Sequence, residues 1–530
     1  MSPPTDLDRL SPAELKGLIV KQWEELAELR RMIGALRDEI ARLKGGPGRP
    51  NIKPSGMERA SEPKSPGSSG QRGRGRGDTR SKLSIDEERV IKVTARPRGS
   101  LFKGYTSFVV QDLVIRPHVV NFRCERWQTP DGGTMVASLP AGIRGHFGPQ
   151  LRRFVLAQYH QGQMTVPRLV TLLRSLGIFI SKRQLMRLLI DGQDRFCDEA
   201  RAVLRAGLES AAWITVDDTA ARHKSANGSC TQIGNGHFAW FGTTASKSRL
   251  DFLDLLRAGH TDYIVNAEAL DYLREQHVSG AIITQLAEHP DKHFPDLKAW
   301  RAHLDRFGIR SSEAARDLVC IATEGALWGS VKANGLLPRT VIVSDDAGRF
   351  NVGLHALCWV HAERLVQKLD TFTDQHRAAQ QRVLSQLWRL YKALKGYCKY
   401  PSAHRKAVLE ACFDRIFRDQ RSGFVPLDRL LARLHNNKSE LLRVLERPEI
   451  PLHTNGSEND LRSQVTRRKV SGGTRSDAGR DCRDAFLTLA KTAAKLGFTF
   501  WDYLGARLAT PGQTDVPYLP AVVRHRCATS

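Results

Sequence analysis

Nowhere in the 530-residue sequence does an apolar run approach the ~18 residues a membrane span requires, which excludes a transmembrane protein. Cysteines are few and scattered: the nine, at 124, 197, 230, 320, 358, 398, 412, 482 and 527, include no C-x-x-C pair. That argues against a disulfide framework and a cysteine-built zinc site, so no zinc is expected. The opening MSPPTDLD has neither a basic leader nor an apolar stretch behind it, so the expected location is cytoplasmic, associated with the nucleoid. Acidic charge is also scarce: 56 Asp and Glu stand against 81 Lys and Arg, a net charge of +25. Such an imbalance points to a polyanionic partner, nucleic acid first, although membrane-surface proteins and merely soluble basic proteins can be as basic. With 41% hydrophobic and 26% charged residues the composition is globular, and the length suits several domains.

Residues 1–44 are expected to form an oligomerising coiled coil. Ser11-Pro12-Ala13-Glu14 reads as a capping box with proline at the first helical position. Leu15, Ile19, Leu26, Leu29, Ile33, Leu36, Ile40 and Leu43 then follow a heptad seam, with polar Gln22 in the one missing place. From 45 to 84 the chain is rich in Gly, Pro, Ser and Arg, including the run RGRGRG at Arg72–Gly77, and is expected to be a flexible basic tether or a plain solvated linker. Residues 85–145 alternate short β-like runs with turn-rich breaks such as TPDGG, predicting a small β-rich module. Between 146 and 200 helical spacing takes over, with a turn at Gly177 and a helix opened by Ser181, predicting a helix-turn-helix or a helical connector. On its last helix Lys182, Arg183, Gln184 and Arg187 are candidate DNA contacts.

Two apolar β-like runs end in acids: AWITVDD delivers Asp217 and Asp218, and RTVIVSDD delivers Asp345 and Asp346. In open α/β sheets, chemistry gathers at the carboxyl ends of strands, although an acid there often only caps the next turn. Far downstream, in HTNGSENDLRSQVTRRKVSGGTRSDAGR, the Asn455-Gly456-Ser457 turn is expected to cap a helix with Glu458 in its first turn. Arg462, Arg467, Arg468, Lys469 and Arg475 follow, a surface suited to phosphates. Three carboxylates from two strands and a helix are the hard oxygen donors that two Mg²⁺ ions take for phosphodiester displacement, with Mn²⁺ as substitute.

VDDT, VSDD with HALCWVHAERL, and GSENDLR with RRKVSGGTRS resemble the three catalytic blocks of insertion-sequence-66 family transposases. The resemblance implies an α/β RNase H-like core over 201–505, with helical insertions near 262–335 and 374–450, and a tail from 506 to 530. It carries the aspartate-aspartate-glutamate (DDE) triad to Asp217, Asp345 and Glu458, with Asp218 and Asp346 as neighbours. Cys358, Trp359, His361 and Arg364 match the family's CW-x-H-x-x-R element, which on residue chemistry alone also reads as a core Cys-Trp pair beside a helix-start histidine. Three departures stand out: the family's cysteine zinc motif is missing, the Asp217-to-Asp345 spacing is long, and His453-Thr454 replaces the usual Asp-Asn. The implied function is metal-dependent cleavage and strand transfer at the terminal inverted repeats of a mobile element, by a homodimer or larger oligomer, with small accessory proteins from the same element as further candidate partners. The rivals are a catalytically silent DNA-binding derivative and an RNase H-like nuclease that does not join ends.

Overall fold

In the computed structural model, which describes residues 85–140, 143, 145–309, 316–419, 421–512 and 514–529, the apolar runs after residue 85 do not assemble into a sheet. The coiled-coil seam and the RGRGRG run lie outside the described residues. Where a β-rich module is expected, regular structure among the described residues amounts to one hairpin, β1 (Arg126–Gln128) and β2 (Thr134–Val136), closed over the TPDGG turn. Two three-residue strands bury no face of their own, and Phe108, Val110 and Val119 nearby are more than 70% exposed.

The helical segment begins with α1 (Pro149–Leu156), which runs into a wide π turn at Ala157–Gln161, and continues with α2 (Val166–Ser175) and α3 (Lys182–Ile190). Gly177, at a φ of +80°, makes the turn between α2 and α3. Ser181 caps α3 as the sequence predicts: its Oγ accepts the Gln184 N–H at 3.2 Å while Gln184 Oε1 accepts the Ser181 N–H at 2.9 Å. Helix α4 (Asp194–Ser210) then leads into the central sheet.

That sheet has five strands in the order β5-β4-β3-β8-β9. Strand β3 (Trp213–His223) pairs antiparallel with β4 (Ala226–Gly234), which pairs antiparallel with β5 (Ala239–Thr244). On the other side of β3, β8 (Val341–Ser344) and β9 (His355–Leu357) run parallel to it. A mixed sheet of this order, with helices around it, is consistent with an RNase H-like core.

Between β5 and β8 lie α5 (Arg249–Leu256), β6 (Tyr263–Ile264), α6 (Ala267–Glu275), α7 (Gly280–Glu288), β7 (His293–Phe294), α8 (Leu297–Arg306) and α9 (Arg316–Ala333). Trp300, Leu304 and Val331 from this stretch join the same apolar cluster as Val203, Ile214 and Ile342, so the extra helices share the main core. After β9 come α10 (Trp359–Gln367), α11 (Asp374–Lys399), α12 (Ala403–Phe417), α13 (Val425–Asn436) and α14 (Lys438–Leu441). The chain closes with α15 (Asn455–Ser471), α16 (Asp477–Lys495), α17 (Phe500–Arg507) and α18 (Leu519–Ala528).

Two packing features fix the frame of the site. Edge strand β5 would leave a row of N–H groups bare, and α16 covers them with one side chain per turn. Thr243 N–H donates to Asp484 at 2.8 Å, Phe241 N–H to Thr488 at 3.0 Å and Ala239 N–H to Thr492 at 3.2 Å. The stretch read as a tail is instead a seated helix: Leu519 and Val523 of α18 are fully buried, and Glu199 of α4 binds both Arg507 and the Leu519 N–H. No helix among the described residues is long and apolar enough to cross a membrane.

Candidate active site

Strand periodicity separates the two acids of the VDD pair. Thr215, Asp217 and Ala221 share one face of β3, and Val216 and Asp218 share the other. The odd-numbered face is covered by α15: Ser457 Oγ donates to Thr215 Oγ1 at 2.7 Å, and Leu461 packs with Ala221. Asp218 on the opposite face is held by Ser229 Oγ at 2.7 Å, Lys247 Nζ at 2.9 Å and the Arg349 guanidinium. Burial works to raise its pKa, but these partners outweigh it and hold the carboxyl below its ordinary value. Asp217 sits within β3 rather than at its end, because the antiparallel ladder with β4 continues to His223.

The parallel ladder brings the second acid alongside. Thr215 pairs with Val343, so Asp217 within β3 and Asp345, the first residue after β8, each lie two residues beyond that last matched position. Neighbouring strands run ~4.8 Å apart, so the equal offset brings the two acids close, and the Asp345 charge acts on Asp217. Ala347 N–H donates to Asp345 Oδ1 at 3.2 Å, closing the turn after β8. Asp346 points elsewhere, bonded by Arg433 at 2.6 Å and Asn437 at 3.3 Å, where it ties down α13.

Helix α15 delivers Glu458. It begins three residues earlier than a Ser457 cap would put it: Thr454 is the N-cap, so Ser457 is already helical and its hydroxyl is taken up by Thr215 instead of capping. Glu458 keeps its first-turn place. Further along, Arg468 donates to Ala220 O at 2.6 Å, and Thr474 N–H to Arg222 O at 3.0 Å. From 457 to 468 the helix climbs eleven residues at ~1.5 Å, and from 215 to 220 the strand advances five at ~3.3 Å, so both cover about 16 Å. The Gly-Gly turn makes this docking possible: Gly472 turns the chain at a φ of +66°, and a Cβ on Gly473 would stand 2.3 Å from Arg222 O.

Asp345 and Glu458 both lie within electrostatic reach of Asp217. Burial is the largest influence on Asp217 and pushes its pKa up to about 6, with Asp345 and Glu458 adding to the rise and the Asp218 N–H and His361 opposing it. Glu458 accepts both arms of Arg364, Nη2 at 3.2 Å and Nη1 closer, and His361 Nε2 stands 3.8 Å away. Burial alone would raise its pKa, but Arg364, His361 and Arg462 together hold it below the ordinary value. Three carboxylates are a donor set suited to a hard divalent cation. As arranged, no group of three or more acidic, histidine or cysteine side chains among the described residues is set to hold a metal ion. Glu458 is committed to Arg364.

The other sequence candidates divide by burial. Cys358 and Trp359 are 2% and 1% exposed, and the Trp359 indole N–H donates to Leu441 O at 2.9 Å, so this pair belongs to the core. Lys182, Arg183 and Arg187 are exposed on α3, while Gln184 is half-buried and its oxygen serves the cap. Arg462, Lys469 and Arg475 are exposed. Arg467 is buried, donating to Tyr159 O at 2.6 Å and lying over the Tyr159 ring at 3.9 Å, which ties α15 to the π turn and keeps it from solvent. One surface escaped the sequence reading. Arg382, Ser385, Arg389, Lys392, Gly396 and Lys399 are all exposed along α11 at alternating three- and four-residue steps, and no acid follows Asp374 on that helix. Scoring basic residues for helical period would have found it.

Residues 339–481 match the family model described as "Transposase IS66 family", a span that includes Asp345, Arg364 and Glu458 and begins after Asp217. The chain is also 50% identical over 315 residues to "Uncharacterized protein y4jO" of Sinorhizobium fredii (strain NBRC 101917 / NGR234), covering 59% of this chain and 97% of that protein. The chain belongs to the IS66 family of transposases.

Proposed function

We propose that the protein is a DNA transposase that binds the terminal inverted repeats of a mobile element and carries out metal-dependent cleavage and strand transfer, with Asp217, Asp345 and Glu458 as its acidic triad. The observation that carries this is the matched offset of Asp217 and Asp345 beyond the parallel ladder, with α15 bringing Glu458 within electrostatic reach of Asp217. Asp217 and Asp345 would hold Mg²⁺ or Mn²⁺ from the sheet and Glu458 from the helix. When bound, such ions supply charge stabilisation at both the attacking and leaving oxygens of a phosphodiester.

The chain's own groups do the positioning. Exposed Arg462, Lys469 and Arg475 flank the acids on α15 and the turn beyond it, where they would fix strands by their phosphates. Lys182, Arg183 and Arg187 on the capped α3 would make a second contact, and the basic stripe of α11 a third. Burial at Asp217 keeps water from screening the charges that gather there.

Purified protein, duplex carrying the element ends and Mg²⁺ should yield nicked and then joined products. Asp217→Asn, Asp345→Asn and Glu458→Gln should each cut the rate at least about a hundredfold, since a lost metal ligand removes several kcal/mol of transition-state stabilisation, while DNA affinity persists. Binding without metal-dependent nicking, unchanged by Asp217→Ala, would instead identify a silent DNA-binding derivative. Cleavage without joining would identify a nuclease.

A further inference from the structure

Glu458 belongs to the acidic triad, yet both of its oxygens are bonded by one guanidinium. The donor of those bonds is firmly seated. Helix α10, which carries Arg364, starts directly after β9, and its first residue is pinned twice: Trp359 N–H donates to Leu452 O and the indole N–H to Leu441 O, each at 2.9 Å. Cys358 N–H, one residue earlier, donates to Ser344 O at 2.9 Å, next to Asp345. The pair itself lies at the mouth of the site, with 18% of the Arg364 side chain and 25% of the Glu458 side chain exposed.

We propose that Arg364 is an internal counter-cation that keeps Glu458 from the metal until a DNA phosphate draws the guanidinium away, so that metal loading is coupled to DNA binding. This rests on the transposase reading above. Three carboxylates within electrostatic reach repel one another, and the site needs positive charge whether or not metal is bound. Arg364 supplies it to Glu458, bonding both of its oxygens. A guanidinium fork matches phosphate as well as it matches carboxylate, so an incoming backbone phosphate offers Arg364 a replacement with the same two-bond geometry. The exchange frees both Glu458 oxygens at the moment substrate arrives. Thermodynamic linkage then makes the coupling mutual: DNA tightens metal binding by the same factor as metal tightens DNA binding. Arg364 acts on the acid, so it is a positioning residue.

The test measures Mn²⁺ affinity of the full chain by paramagnetic resonance of free Mn²⁺, with and without a short duplex, subtracting what the duplex alone takes up. In the wild type the duplex should tighten Mn²⁺ binding by about five- to tenfold, the lower range of known site-to-site coupling. Arg364→Gln, without DNA, should bind Mn²⁺ tighter by a similar factor and lose most of the response to DNA, while its cleavage rate falls. Arg364→Lys, which keeps the charge but not the fork, should fall between. If Arg364→Gln binds Mn²⁺ no tighter than wild type, the pair is merely structural and the proposal is overturned. If that variant fails to fold, wild-type Mn²⁺ affinity that ignores the duplex overturns it equally. Asp217→Asn and Glu458→Gln, measured with the duplex present, separate the two levels: Mn²⁺ binding untouched by both sinks the metal-site reading itself, whereas binding weakened in both, with DNA-free Arg364→Gln no different from wild type, sinks only the gate.

Discussion

Asp484 shows how a single carboxyl can set the pH response of a fold. It lies inside α16 with its oxygens on the Thr243 N–H and hydroxyl, and burial, its dominant influence, pushes its pKa up to about 7 against these bonds and nearby Arg483. An unfolded aspartate titrates near 3.9, so between about pH 4 and 7 the folded state holds a proton that the unfolded state has released. That contribution is complete below about pH 4 and disappears as pH rises through 7, by about 4 kcal/mol at most. Asp484→Asn keeps an acceptor for the Thr243 N–H and cannot ionise, so the fall in urea midpoint between pH 5 and pH 8 should shrink markedly. An unchanged fall would place the pH dependence at another group. The same scale explains what could be read in advance about the site. The placement of Asp217, Asp345 and Glu458, the triad proposed above, could be read from local sequence, because each stands at the end of an apolar run or the start of a helix. That of Gln184 and Arg467 could not, since a long polar side chain chooses its partner from the tertiary neighbourhood: a cap in one case, the Tyr159 ring and carbonyl in the other.

Elements were legible where hydrophobic period and punctuation agreed. The Ser181 cap, the Gly177 turn and the two apolar strands of the sheet stand where the sequence puts them, because each carries its own start or stop chemistry. The runs after residue 85 have strand-like alternation, but a strand needs a partner, and alternation does not specify one. The fit of α15 to β3 and the ladder from α16 to β5 were equally hidden, since they depend on two elements hundreds of residues apart having commensurate lengths. The stripe on α11 is a property of one element and yields its own prediction. Arg382 to Lys399 spans seventeen residues, about 25 Å of helix, enough to follow several phosphates along a duplex. Replacing Arg382, Arg389, Lys392 and Lys399 together by Gln should flatten the dependence of log affinity on log salt by about 3.6, since each neutralised phosphate contributes ~0.9 to the slope. Folding should be unaffected, because all four are exposed. A slope equal to the wild type's would remove α11 from the DNA-binding surface.

At the scale of the whole molecule, two stretches are rich in apolar residues with no partner assigned to them. The heptad seam from Leu15 to Leu43 has apolar positions that a lone helix would leave in water. Between Ile85 and Phe122, Ile91, Phe102, Phe108, Val114 and Val119 are each more than 70% exposed, far beyond the scattered single residues that a surface tolerates. The strand transfer proposed above would gain from pairing two active sites, and a seam at residues 1–44 could supply the pairing. Removing residues 1–44 should therefore convert the protein from a dimer or larger assembly to a monomer by sedimentation, with single-end cleavage retained and joining of paired ends lost. Leu26 and Leu29 replaced together by Asp should reproduce that result, since two charges on the seam oppose pairing without shortening the chain. Should the shortened protein remain dimeric, the seam is not the principal contact, and the exposed apolar stretch becomes the place to look. Charged substitutions at Phe108 and Val110 would then be the ones to split the dimer.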